Sequence, residues 1–127
     1  MAALDPLETT LDDLASTHWV GERVRTTRRP AGDQLSLTSG RIWRIAADGT
    51  SVPVRHVVYH SPSGISWGAD GVGAADTALS LLIDAGVSPD DAWRVHRSFA
   101  HDVIAHLPIV RFELPGTVMR HWLTSRR

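Results

Sequence analysis

The stretch HSPSGISWGADGVG, residues 60–73, decides how the chain is read, because the apolar period changes across it. Before it, apolar residues tend to alternate, as in strands. After it, they recur every three to four positions, as on one face of a helix. Pro62-Ser63-Gly64 fits a tight turn with glycine where a positive φ is needed, and Ile65 to Trp67 reads as a returning strand. Gly68, Gly71 and Gly73 then lead into a helix expected over residues 74–85. That helix buries Ala75, Ala78, Leu79, Leu82 and Ile83 and stops at Gly86, a residue suited to the position after a helix.

Working back from this junction, residues 52–59 read as a strand that follows the Asp48-Gly49 hairpin signal. Residues 41–46 (RIWRIA) and 18–26 (HWVGERVRT) read as two more. Residues 27–40 are rich in Pro, Gly and polar side chains and read as a loop, with a short strand at Leu35 to Leu37. Working forward, Ser88-Pro89-Asp90-Asp91 gives a cap, a proline at the first helical position and acids in the first turn. The helix that follows runs to Pro108. Residues 109–114 suggest a last short strand, and residues 116–127 a C-terminal helix. Strands followed by helices predict an α+β fold: a small antiparallel sheet of three to five strands packed by two or three C-terminal helices. Residues 5–16 predict a short helix, with Asp5, Pro6 and Glu8 at its start and Leu7, Leu11 and Leu14 along one side. The expected organisation is an N-terminal helical arm over 1–17 and a single α+β domain over 18–127.

The chain has 127 residues and no cysteine, so disulfides, thiolate metal sites and a cysteine nucleophile are excluded. All 13 basic residues are arginine, which removes lysine chemistry as well. The N-terminus lacks the basic and apolar regions of a signal peptide, and no apolar run approaches a membrane span. A cytoplasmic protein without membrane association is the expectation. The net charge of −1 is unevenly spread. Residues 18–60 carry seven arginines against three acids, and residues 61–107 two arginines against six acids. Such blocks can pair with each other inside the fold. They can also leave a basic surface for an anionic partner.

The pattern His60-Ser61-Pro62-x-Gly64-Ile65-x-Trp67-Gly68, with Gly71, Gly73 and an Ala/Leu helix after it, resembles an uncharacterised bacterial and phage family of unknown function. The similarity extends over residues 18–124 and departs from the usual pattern at Ala69-Asp70 and Ala74. It implies a small α+β domain and no activity to inherit. An accessory role in a phage or mobile element is consistent with it.

The residues of the junction admit two readings. Glycines ahead of a helix expose N–H groups and the positive end of the helix dipole, which suits an anion. Against a phosphate, Asp70 and Asp76 flank the site and no base lies between Ser61 and Arg94. The alternative is a tight connection in which glycine permits close packing, and it is favoured over a phosphate site; a neutral or cationic ligand stays open. His60, Ser61, Trp67, Gly68, Asp70, Gly71 and Gly73 are therefore the candidate ligand-binding residues. Trp67 with Tyr59 would form a stacking platform if exposed, and core packing is the alternative. Trp93 and Trp122 read as core.

The histidines do not have metal-ligand spacing. His96, His101 and His106 are five apart, a net rotation of about 140° on a helix, so neighbours do not share a face. His96 reads as a partly buried, hydrogen-bonded core residue, and His60 as a turn residue bonded to local backbone. Ser61 beside His60 is no triad, and no catalytic residue, metal or cofactor is assigned. The expected function is a non-enzymatic module that binds a protein or a small ligand. One alternative is weak nucleic-acid binding through Arg23, Arg25, Arg28, Arg29, Arg41, Arg44 and Arg55, which would fall steeply with salt. The other is a small enzyme using His60 as acid or base.

Overall fold

The computed structural model describes residues 14–25, 37–61 and 64–125. After a 3-10 turn at Leu14–Ser16 come strands β1 (His18–Arg25), β2 (Leu37–Ile45) and β3 (Ser51–Pro53). Helices α1 (Val72–Asp84) and α2 (Pro89–Asp102) follow, then β4 (Arg111–Pro115) and α3 (Gly116–Ser125). The sheet order is β3-β2-β1-β4 and every pairing is antiparallel. The expected α+β architecture is thus present, with the last strand returning after two helices to pair with the first.

The two faces of the sheet differ in character. Trp19, Gly21 and Arg23 of β1 lie opposite Arg44, Ile42 and Gly40 of β2, and Trp19 and Gly21 lie opposite Leu114 and Phe112 of β4. On this face Trp19, Ile42, Phe112 and Leu114 are buried in one core with Leu79 and Leu82 of α1, Phe99 of α2 and Met119 of α3. The other face carries exposed Glu22, Arg41, Arg111 and Glu113 around half-buried Val20 and Trp43.

Two strand glycines make room for two aromatic rings. A Cβ at Gly40 would lie 2.0 Å from the Trp67 ring, and one at Gly21 would lie 2.1 Å from the Phe112 ring. The rings meet edge to face with centroids 4.8 Å apart, a favoured aromatic geometry. The Arg23 guanidinium lies 4.7 Å from the centre of the Trp67 ring. It donates to the carbonyls of Trp67 at 2.6 Å and Ile109 at 2.8 Å, and to Ser66 Oγ at 3.1 Å. At the other end of this face the Asp84 carboxylate accepts from Trp19 Nε1 at 2.9 Å and pairs with Arg44 at 2.9 Å. Trp67 is buried, and no acceptor for its Nε1 lies among the described residues.

Several sequence expectations are corrected. The third strand, expected over 52–59, ends at Pro53. Proline removes a ladder donor, and after the bond from Val54 N–H to the Ile42 carbonyl at 2.8 Å the chain leaves the sheet for α1. Strand β2 starts at Leu37 rather than 41. Among the described residues, Ile65 to Trp67 pairs with no strand and makes isolated bonds instead, including Gly40 N–H to the Ile65 carbonyl at 3.3 Å. The helix expected to run to Pro108 ends at Asp102, and a 3-10 turn at Ile104–His106 follows. Of the expected N-terminal helix, residues 5–13 lie outside the described residues, and Leu14–Ser16 forms the 3-10 turn with Leu14 buried. The start of α2 is as read, with Ser88 Oγ accepting from Asp91 N–H and Pro89 in the first turn. Among the described residues, no helix is long and apolar enough to cross a membrane.

Gly40→Ala forces a methyl group into the Trp67 ring, a form of overpacking that costs about 1–3 kcal/mol. Its urea midpoint should fall accordingly. A midpoint equal to that of the parent protein would show that the ring is not held against β2 as described.

Candidate functional site

Helix α1 places a carboxylate where its Ala/Leu face would lead one to expect another apolar residue. Asp76 is fully buried. Its Oδ2 accepts from His56 Nε2 at 2.9 Å and from the backbone N–H groups of Tyr59 at 3.1 Å and Ser61 at 2.9 Å, while Oδ1 accepts from His60 N–H at 2.8 Å. One turn further on, Ser80 Oγ accepts from Val57 N–H at 2.8 Å. The segment after β3 has left the sheet, so its N–H groups need partners elsewhere, and these two side chains supply them. Burial pushes the Asp76 carboxyl pKa up, but the four donors outweigh it and hold the group below its ordinary value.

Thr77 acts in the same way on the other side of the helix, accepting from Ser66 N–H at 2.9 Å. Its hydroxyl hydrogen is within reach of the carbonyls of Ser66 at 2.7 Å and Gly73 at 2.8 Å. The junction glycines are used as the sequence suggested. Gly68 has φ 86 and Gly71 has φ 151, both in the region that favours glycine. Gly71 is the residue before α1 and, being glycine, offers no side chain to cap it.

Fixing His60 on Asp76 sets its ring against α2. His60 Nε2 is 3.1 Å from His96 Nε2. His96 is buried, and its Nδ1 is 2.5 Å from the Trp93 carbonyl. A carbonyl only accepts, so His96 Nδ1 carries the proton and its Nε2 presents a lone pair in the neutral ring. His60 Nε2 is then the donor to His96. Desolvation lowers the His96 pKa, which the Trp93 carbonyl opposes, and His60 and Arg97 lower it further. Trp93 stacks on both imidazoles, with centroids 5.5 Å from His60 and 4.7 Å from His96, and Tyr59 leans on Trp93 at 4.3 Å.

Beside this cluster lies an open cleft of about 320 Å³ between the start of α1 and α2. Its lining includes His60, Asp70, Arg97, Val72, Ala75 and Ala100. Trp93, Arg97 and Ala100 follow the helical spacing that puts them on one side of α2. One end of the cleft is polar and its wall is apolar. Asp70 accepts from His101 at 3.1 Å, both groups being exposed.

The structure brings together three of the residues singled out at the junction, His60, Asp70 and Gly71. Gly68 and Gly73 shape the connection: Gly68 donates to the Ile104 carbonyl at 3.0 Å, and the Gly73 carbonyl accepts from Ser66 N–H at 3.2 Å. Ser61 and Trp67 are buried. The aromatic surface is formed by Tyr59 and Trp93, 64% and 41% exposed, rather than by Tyr59 and Trp67. Trp93 is therefore not core, whereas Trp122 is, at 8% exposure. His60 bonds to a side chain 36 positions away rather than to local backbone. His96 is the buried, hydrogen-bonded residue expected. Arg97 was missed because it is distant in sequence from the junction. Among the arginines, Arg23 and Arg44 lie on the helix-covered sheet face with internal partners, Arg41 on the opposite face, and Arg55 is exposed in the loop after β3. Arg28, Arg29 and the Arg25 side chain lie outside the described residues. Among the described residues, no group of three or more histidines and carboxylates is arranged to hold a metal.

A family model described as a family of unknown function matches residues 28–125. The resemblance read over residues 18–124 pointed to such a family. No curated protein and no solved structure matches the chain.

Two pH effects follow from the lowered pKa values. An unfolded chain binds protons on His96 at its ordinary value of 6.5, and the folded protein only below that. The stability from neutral His96 is therefore complete above about pH 6.5 and is lost as pH falls through the folded value. Asp76 contributes above 3.8 and loses its contribution only as pH falls through its own lowered value. Unfolding free energy measured by denaturant titration should decline as pH falls below about 6.5, and His96→Gln should flatten that decline. A parent curve that is flat in this range would contradict the assignment. Asp76→Asn, which leaves buried donors facing an amide, should cost about 2–4 kcal/mol at pH 7; a cost near zero would contradict its role.

Proposed function

The chain belongs to DUF6166, a family of unknown function that brings no activity with it, and we propose that this domain is a non-enzymatic module that binds a small acidic ligand in the cleft between α1 and α2. The observation that carries this reading is the composition of the cleft. About 320 Å³ of open space is enough for a small molecule, near the lower end of the usual range for ligand sites. Arg97 supplies a cation, Asp70 of the same lining is engaged by His101, and His60 supplies a ring nitrogen, Nδ1, with no partner among the described residues. Val72, Ala75 and Ala100 supply an apolar wall. The first turn of α1 adds N–H groups that favour an anion. Catalytic machinery has less support. Asp76 is buried with both oxygens occupied, Asp70 is turned to His101, and Ser61 is buried.

Sodium benzoate, titrated while backbone amide resonances are followed by NMR, tests the reading. Gly71, Val72 and Ala100 should shift together and saturate. Arg97→Ala should weaken binding about tenfold or more, the worth of a charge-assisted hydrogen bond. Absence of saturable shifts at the cleft would contradict the proposal. Salt-sensitive binding of a single-stranded oligonucleotide with no effect at the cleft would favour the nucleic-acid alternative instead.

A further inference from the structure

We infer that this cleft takes up one proton with its ligand, on His60, so that it selects a small carboxylic acid over a neutral compound and holds it more tightly as pH falls. The inference rests on the reading of the cleft as an acidic-ligand site. Its own ground is the direction of the hydrogen bonds around the two imidazoles.

His96 is committed on both sides. Its Nδ1–H goes to the Trp93 carbonyl and its Nε2 lone pair receives His60 Nε2–H. Neutral His60 therefore has its remaining lone pair on Nδ1. A carboxylate brought against that lone pair would be repelled. A proton added at Nδ1 turns the repulsion into a charge-assisted hydrogen bond, and no existing bond has to be remade, because Nε2–H already points at His96. The balance is simple: one solvent proton joins His60 Nδ1, one carboxylate binds, and the net charge of the complex equals that of the free protein.

His96 is buried and bonded through both ring nitrogens, so an added proton falls on His60 rather than on His96. Trp93 stacks on both rings, 5.5 Å from His60 and 4.7 Å from His96. At such a distance the face of an indole attracts a cation. Among the described residues, the anions Asp76 and Asp70, the cation Arg97 and the Tyr59 ring lie beside the pair, and His56 and His101 are bonded to the two carboxylates. Asp76 is bonded to the backbone N–H of His60 and to the His56 ring, and His101 is bonded to Asp70. Burial keeps His96 neutral, with its pKa below the ordinary value. The pair can hold one added proton with every bond in place, and a second would put two cations 3.1 Å apart.

Isothermal titration of the full chain with sodium benzoate, in HEPES and in Tris buffer at each of several pH values, reads the proton count from the difference in heats. Uptake should approach one proton at the alkaline end. The dissociation constant should fall by up to tenfold for each unit of pH on going acidic, and level off once His60 is charged. His60→Gln should abolish the uptake and its pH dependence while Arg97 still supports weaker binding, and Arg97→Ala should weaken binding but keep the uptake. The imidazole nitrogen shifts of His60 in the parent protein give a second measurement that does not depend on a variant folding: Nδ1 should become protonated on adding benzoate. Saturable binding at the cleft with equal heats in both buffers at the alkaline end would overturn the inference and leave the cleft reading standing. Uptake that persists in a folded His60→Gln would overturn the assignment to His60. No binding at the cleft would overturn both.

Discussion

A single buried carboxylate, Asp76, positions the candidate site. The chain leaves the sheet at Pro53 and residues 54–61 belong to no helix or strand, so the N–H groups of Tyr59, His60 and Ser61 need partners outside the sheet. Asp76 takes all three together with the His56 side chain. A buried charge is tolerable only when its oxygens are satisfied, and four donors meet that condition. The constraint runs both ways: the carboxylate needs the loop, and the loop needs the carboxylate. The position of His60 against His96 is one result, and the wall of the cleft beside it is another.

The sheet shows a related economy of charge. Arg23 and Arg44 lie on the face that carries the core, and each has a partner that makes its burial acceptable. Arg23 caps the carbonyls of Trp67 and Ile109 and covers the Trp67 ring. Arg44 joins Trp19 on Asp84. Both are therefore parts of the fold, anchoring the junction and the end of α1 to the strands. The bare stretch of sheet at Gly21 and Gly40 serves the same purpose by letting Trp67 and Phe112 lie close over the backbone.

Much of the fold is legible in the sequence because it rests on local signals. The switch from alternating to helical period gives the order of elements. Ser88 and Pro89 mark the start of α2, Gly86 the end of α1, and Gly68 and Gly71 the bends of the junction. The site is less legible because its contacts are long-range. Asp76 reads as an acid that would repel a phosphate, yet in the fold it receives N–H groups from residues 15 to 17 positions earlier. The available signal is its place, together with Thr77, within a run that includes Ala75, Ala78 and Leu79. A polar residue on that buried side must have a partner. Arg97 reaches the cleft, and Trp93 the two imidazoles beside it, only through the packing of α2 on α1, which no local pattern encodes. The same holds for Arg23, whose partners lie 43 to 86 positions away.

Amide hydrogen exchange at residues 57–61 measures the Asp76 anchor most directly. The N–H groups of Tyr59, His60 and Ser61 belong to no helix or strand, yet each ends on a buried oxygen. They should exchange slowly, at rates close to those of α1, and lose that protection together when Asp76 is replaced by alanine in a variant that remains folded. Exchange in the parent protein as fast as in the exposed turn at residues 47–50 would contradict the account.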